Sequence, residues 1–170
     1  METNKLPEPW LRGTLAEVPA MPRAVLHALE LAREDLERWC GTLSDAEVNA
    51  RPAGIAPVAF HLRHIARSLD RLLTYAEGNQ LNEVQMAAMK NELEPGAKRE
   101  ELFSELELAL RKSAERIRAL DATRLSDARV VGKKELASTL GGLLVHVADH
   151  TQRHVGQAVT TSKIVVSQRS

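Results

Sequence analysis

Apolar residues recur at the spacing of one helix face, about every 3.6 positions, along most of the chain. Four long helices are predicted from this pattern, over residues 22–40, 57–77, 98–120 and 135–164. Residues 80–93 are also predicted to be helical. A short helix is predicted over 44–49, where Ser44 and Glu47 have the spacing of a capping box. No segment shows strand alternation, and residues 121–134 are predicted to form a loop in which Val130 and Val131 are extended.

The breaks between these segments carry glycine and proline, which end helices. Gly41 and Gly78 follow the first two long segments, and Pro95 with Gly96 precedes the third. Residues 1–21 contain few periodic apolar positions and are predicted to be an extended lead-in. At 170 residues, the chain has the usual length of one domain. The expectation is therefore a single all-α domain, residues 1–170, in which four long helices form an antiparallel bundle.

Charge and composition exclude several classes of protein. The 23 basic and 23 acidic residues cancel, so no excess of positive charge favours nucleic acid. Aromatic residues make up only 3% of the chain, so the core is expected to be aliphatic. The one cysteine, Cys40, excludes an intrachain disulfide. No apolar run reaches the length of a membrane span, and residues 1–5 lack the layout of a signal peptide. We therefore expect a cytoplasmic protein without a membrane partner.

Three histidines, His146, His150 and His154, lie four residues apart in the last predicted helix. Neighbours at this spacing differ by only about 40° around a helix, so two imidazoles reach one metal ion. A helical wheel places His150 and His154 within the apolar stripe and His146 at its edge. Buried imidazoles need a hydrogen bond or a cation. This spacing therefore indicates a metal site. The alternative is that these histidines are hydrogen-bonded core or surface residues without a metal.

Two peptidase motifs resemble this segment but lack their catalytic residue. Residues 150–154 have Thr151 where the helical zinc-peptidase motif requires a glutamate base. Residues 146–150 have the inverted layout with Asp149 in place of glutamate, and Asp149 lies on the polar face of the wheel. Cys40 is also a poor nucleophile, because the negative end of a helix dipole disfavours a thiolate there. Peptidase and thiol-nucleophile chemistry are therefore disfavoured.

The second long helix supplies His61 and His64, and periodicity alone favours His61 as the buried residue. His64 shares a mixed stripe with Arg71 and Tyr75, of the kind that lines a cavity. The wheel therefore leaves the choice between the two histidines open. His27, on the first helix, is isolated and is expected at the surface or at the edge of the helix.

Residues 142–157 (GLLVHVADHTQRHVGQ) resemble the C-terminal signature of the DinB-like superfamily. Residues 60–66 (FHLRHIA) are similar to that family's second-helix motif, and residues 10–14 (WLRGT) to the lead-in of one branch. The resemblance implies an up-down-down-up four-helix bundle, often a homodimer, with one divalent metal held by three histidines. The matching positions are His64, His150 and His154. Zn, Ni and Fe(II) all suit nitrogen ligands.

Some proteins of the DinB-like superfamily are thiol S-transferases that use low-molecular-weight thiols. The first hypothesis is therefore a metal-dependent enzyme with a small-molecule substrate, acting as a thiol S-transferase as the resemblance implies or, if the metal holds hydroxide instead of a thiolate, as a hydrolase. The alternatives are a non-catalytic metal-binding dimer with a sensor or structural role, and a bundle in which the histidines are remnants. Further candidates near the metal are His61, His146, Gln157, Arg71 and Tyr75.

Overall fold

The computed structural model describes residues 6–169, which form six α-helices and one two-stranded hairpin. The helices are α1 (Ala20–Cys40), α2 (Asp45–Asn49), α3 (Val58–Ala76), α4 (Glu83–Lys90), α5 (Arg99–Ala119) and α6 (Leu140–Ser167). The strands are β1 (Ala128–Val131) and β2 (Leu136–Thr139). The prediction of a mainly helical protein is thus confirmed. None of the helices described combines the length and the hydropathy needed to cross a membrane.

The four long helices enclose one aliphatic core. Helix α1 packs against α5 and α6, and helix α3 packs against the same two helices. Each buried leucine or isoleucine contributes about 1.5–3 kcal/mol relative to an exposed one. The largest side chains of the long helices with less than 2% exposure are Val25, Leu36, Leu62, Ile65, Leu69, Leu73, Ile117, Leu140, Leu143 and Leu144. This core fixes α3 and α6 side by side, which is the relationship on which the histidine site depends.

Most helix ends lie within a few residues of their predicted positions. Gly78 follows α3 with a φ of 87°, a left-handed conformation that ends helices and that glycine adopts without strain. The predicted capping box of α2 is confirmed, because the Ser44 hydroxyl accepts from the backbone N–H of Glu47 and the Glu47 carboxylate accepts from that of Ser44. Helix α4 is shorter than predicted, because Asn82 caps it with a box of the same kind.

The start of the last helix and the absence of strands are corrected by the structure. Residues 135–139 are not helical, because β2 pairs antiparallel with β1 and places Val131 opposite Leu136. Gly132 and Glu135 turn the chain between the strands with φ values of 69° and 49°. The Thr139 hydroxyl then accepts from the backbone N–H of Gly142 at 3.0 Å and starts α6 at Leu140.

The described part of the lead-in, from residue 6 onward, docks on α1. The Arg12 guanidinium donates to the Glu34 carboxylate at 2.6 and 2.8 Å. Thr14 Oγ1 lies 3.1 Å from His27 Nε2, and the Trp10 ring meets the His27 ring edge-on. His27 is therefore buried, with 4% exposure, and its expected surface position is wrong. The lead-in covers it, a contact between elements that helical periodicity does not reveal. Residues 1–5 of the lead-in lie outside the described part of the chain.

Candidate metal centre

Helices α3 and α6 bring together His64, His150 and His154. One nitrogen from each ring belongs to a group of three atoms that lie within 4.8 Å of one another. Nε2 of His64 and Nε2 of His150 are 3.3 Å apart. The His154 ring centroid lies 4.3 Å from that of His64 and 4.8 Å from that of His150. These are the three positions that match the family's ligands, and their proximity requires the packing of two helices far apart in sequence.

The separation of one nitrogen pair matches that of two ligands on one metal ion. Zinc in a tetrahedral site has Zn–N distances of about 2.0–2.1 Å, which separate two nitrogen ligands by about 3.3–3.4 Å. The Nε2 atoms of His64 and His150 are 3.3 Å apart. Nδ1 of His150 is buried and has no hydrogen-bond partner among the described residues. Buried polar atoms normally have partners, so the second ring nitrogen of His150 lacks the partner that its burial calls for.

Burial keeps His150 and His154 neutral, which is the state that binds a metal. Burial, followed by the positive charges that His154 and His64 would carry, lowers the pKa of His150 to about 4. Burial likewise lowers the pKa of His154 to about 4, together with the charges of His64 and Arg153. At neutral pH, His150 and His154 therefore offer ring nitrogens with lone pairs.

His61 lies beside this group but does not belong to it. It is the more deeply buried histidine of α3, with 3% exposure, in agreement with the wheel. Its Nδ1 lies 3.1 Å from Nδ1 of His154, so one ring donates and the other accepts. Burial, followed by the charges of His154 and His64, lowers its pKa to about 4. When His154 is the donor, its Nε2 is left with a free lone pair. The Phe60 ring stacks on His64 with centroids 5.2 Å apart.

Glu92 is a site residue that the sequence did not reveal. Its Oε2 lies 2.6 Å from Nδ1 of His64, and its Oε1 accepts from the Arg71 guanidinium at 2.7 Å. Burial raises the pKa of Glu92, but the hydrogen bonds from His64 and Arg71 outweigh burial and leave the pKa below its usual value. Carboxylates commonly orient metal-binding histidines in this way. Arg71 therefore reaches the site indirectly, through Glu92.

The remaining candidates, His146, Gln157 and Tyr75, lie at different distances from the three histidines. His146 is exposed, with its ring centroid 5.6 Å from that of His150. Gln157 is exposed and makes no hydrogen bond to a histidine among the described residues. Tyr75 follows His64 by eleven positions on α3, a rise of about 16 Å. It lines a separate cavity of about 530 Å³ with Met86 and Met89.

The structure supports neither peptidase chemistry with Asp149 nor a thiol nucleophile at Cys40. Asp149 is exposed and pairs with Arg153 on the outer face of α6, away from the apolar face of that helix. Cys40 is fully buried, and burial raises the pKa of its thiol to about 11. Asp149 therefore faces away from the histidine group, and the Cys40 thiol is buried and protonated at neutral pH.

Comparison with known proteins identifies the family. The family model for the DinB superfamily matches residues 28–158. A crystal structure of a conserved protein from Enterococcus faecalis aligns with a TM-score of 0.71 and 20% identity, over 86% of this chain and 97% of that one. This likeness supports the fold. No curated protein is detectably similar to the chain. The family match covers more than half of the sequence and includes all three histidines, and the chain therefore belongs to the DinB superfamily.

Proposed function

We propose that this protein binds one divalent metal ion through His64, His150 and His154 and uses it as an enzyme on a small molecule. The reaction is thiol S-transfer or hydrolysis. The observation that carries the proposal is the convergence of three ring nitrogens within 4.8 Å of one another. Three imidazole nitrogen ligands suit Zn, Ni or Fe(II).

The number of ligands supports catalysis over a structural role. Structural zinc sites have four protein ligands, whereas catalytic sites have three and an open position. The group contains three histidines among the described residues, and the His64 side chain is 19% exposed. A metal bound there would lower the pKa of a water or thiol at the open position towards neutrality.

The surrounding side chains support this proposal by holding the ligands. Glu92 and His61 make hydrogen bonds to His64 and His154. Phe60 covers one face of His64 and meets His154 edge-on, which limits the approach of water from that side. His146 lies at the exposed edge beside His150 without belonging to the group of three.

Elemental analysis of protein purified without a histidine tag tests the metal. One equivalent of a transition metal is expected, and its absence after supplementation with Zn, Ni and Fe(II) would contradict the proposal. The loaded protein is then given an electrophile with and without a low-molecular-weight thiol. Loss of the thiol indicates transfer, and thiol-independent turnover of ester or amide substrates indicates hydrolysis.

A non-catalytic metal-binding dimer is the second candidate, and the position of one cavity favours it. The cavity of about 480 Å³ between α3, α4 and α5 is lined by Arg71, Arg67 and Ser113 but by no histidine. A substrate in that cavity would therefore not touch the three ligands. X-ray absorption of the loaded protein separates the candidates, because an exchangeable oxygen ligand supports catalysis and a closed protein shell supports a structural role.

The arrangement of the whole protein is also part of the proposal. We propose the up-down-down-up order of the four long helices and a homodimer, as the family resemblance implies, together with a cytoplasmic location. Light scattering at micromolar concentration tests the dimer, and a monomeric mass would contradict it.

A further inference from the structure

The stretch that contains α4, residues 82–96, buries a single residue, and that residue is a carboxylate. Glu92 is 6% exposed, whereas Val84 is 77% and Leu93 is 54% exposed. Met86 and Met89 of the same stretch are also exposed. Burial of a charge while apolar side chains remain in solvent opposes the hydrophobic effect. The position of Glu92 therefore requires an explanation other than packing.

Both carboxylate oxygens of Glu92 have assigned partners. Oε2 accepts from Nδ1 of His64 at 2.6 Å, and Oε1 accepts from Arg71 at 2.7 Å. Because a carboxylate only accepts, the proton of a neutral His64 lies on Nδ1 and the lone pair lies on Nε2. That Nε2 atom is the one 3.3 Å from Nε2 of His150. Glu92 thus selects the His64 tautomer that presents a lone pair to the other ligands.

Three arginines on successive turns of α3 hold this stretch in place. Arg63 donates to the carbonyl oxygen of Glu94 at 2.5 Å, and Arg67 donates to that of Ala88 at 2.9 Å. Arg71, one turn further along α3, donates to the Glu92 carboxylate. We call these three arginines the arginine row. A buried ion pair alone is weak support for stability. The arginine row instead fixes the position of one carboxylate relative to His64.

We propose that Glu92 is a positioning residue for the metal centre and that Arg71 holds its carboxylate against His64. This inference rests on the proposed function. It adds a third element, residues 82–96, to the two helices that supply the ligands. The effect acts through the tautomer and orientation of the His64 ring, with no contact between Glu92 and the metal.

The tautomer is tested on the metal-free protein by long-range proton–nitrogen NMR of His64, at about pH 8, where an ordinary histidine is neutral. The wild type is expected to carry its proton on Nδ1, and the same is expected of the Glu94→Gln control, whose side chain contacts none of these groups. In Glu92→Ala the population with the proton on Nε2 is expected to rise. A wild-type proton on Nε2, or an unchanged tautomer in Glu92→Ala, would overturn the inference.

Metal affinity is measured by competition with a chelating dye, and ligand geometry by the visible spectrum of the Co(II) form. Glu92→Ala is expected to weaken Zn binding by about 10–100-fold and to shift the Co(II) bands. Arg71→Met is expected to have a smaller effect in the same direction, and Glu94→Gln none. Equal affinity and an identical spectrum in folded Glu92→Ala would overturn the inference while the wild-type site stands.

The two proposals fail in different ways. A wild type that binds no metal contradicts the proposed function, whereas the NMR measurement still decides whether Glu92 sets the tautomer of His64. If Glu92→Ala does not fold, Glu92→Gln decides, because one amide oxygen replaces the two carboxylate oxygens that accept from His64 and Arg71. Arg71 only donates and therefore takes that oxygen, so the amide NH2 group faces Nδ1 of His64 and favours a proton on Nε2. Weaker Zn binding by Glu92→Gln supports the inference, and wild-type affinity with a wild-type Co(II) spectrum overturns it.

Discussion

Oε2 of Glu92 lies 2.6 Å from Nδ1 of His64, although 28 positions separate these residues in the chain. The contact joins the stretch after α4 to the middle of α3. Because the other nitrogen of His64 faces His150, a single imidazole connects the carboxylate to the ligand group. The histidine site therefore depends on three separate segments of the chain.

Replacement of a ligand separates the metal site from the fold. We expect His150→Ala to abolish stoichiometric metal binding, because two of the three nitrogens cannot hold the ion. His27→Ala is expected to retain the metal but to lower the free energy of unfolding by about 1–3 kcal/mol, since it removes a buried partner of Thr14. Elemental analysis and thermal melts measure both effects. Equal metal content in the two variants would contradict the ligand assignment.

Removal of the metal is expected to lower the melting temperature near pH 7.5. A ligand that binds only the native state stabilises it by about 2.7 kcal/mol at a hundredfold excess over Kd. The comparison is between metal-loaded protein and protein treated with a chelator, with His150→Ala as the control that should not respond. An unchanged melting temperature in protein shown to contain metal would place the ion outside the bundle.

The metal-free protein is expected to lose stability as the pH falls from about 6.5 towards about 4. Burial and neighbouring charges lower the folded-state pKa of His61, His150 and His154 to about 4, whereas an unfolded histidine has a pKa of about 6.5. Between these values the unfolded chain binds more protons, so stability decreases as the pH falls. Denaturant melts across this range measure the slope.

The matched variant for this pH dependence is His150→Ala, which removes one of the three buried imidazoles. Its stability is expected to fall less steeply over the same range. Parallel curves for the variant and the wild type would show that these histidines are not the source of the pH dependence.

Cys40 is expected to resist thiol reagents in the native state. Its side chain is fully buried, and its thiol has a pKa of about 11 because of that burial. Labelling at about pH 8 should therefore follow global unfolding, and Cys40→Ala should keep its metal. Rapid labelling of folded protein would contradict the described environment of the thiol.

The sequence predicts the long helices well because their signals are local. Leu69 and Leu73 recur on one face of α3, and Gly78 marks its end. The hairpin was missed because its strands depend on each other, and Leu136 gains its extended conformation from the pairing with Val131. Periodicity is a property of one segment, so it carries no information about the pairing of two segments.

In the candidate site too, residues with local sequence signals are predictable, and residues placed by contacts between segments are not. The four-residue spacing in α6 indicates His150 and His154 directly, whereas the choice of His64 over His61 required the family resemblance. Glu92 lies near the end of the segment predicted to be helical over 80–93, but no spacing in the sequence pairs it with a histidine. Its partners His64 and Arg71 lie 28 and 21 positions away. His27 was misplaced because its partner, Thr14, belongs to the lead-in.

The arginine row of α3 has a consequence for the local stability of residues 82–96. These residues are attached mainly by hydrogen bonds and ion pairs, since none of their apolar side chains is buried in the shared core. Such a stretch opens at a lower free energy than the helices it lies on, because its release exposes little apolar surface. Its opening would carry Glu92 away from His64 while α3 and α6 stay packed. The ligand helices and the carboxylate that orients one of their rings thus belong to different cooperative units of the fold.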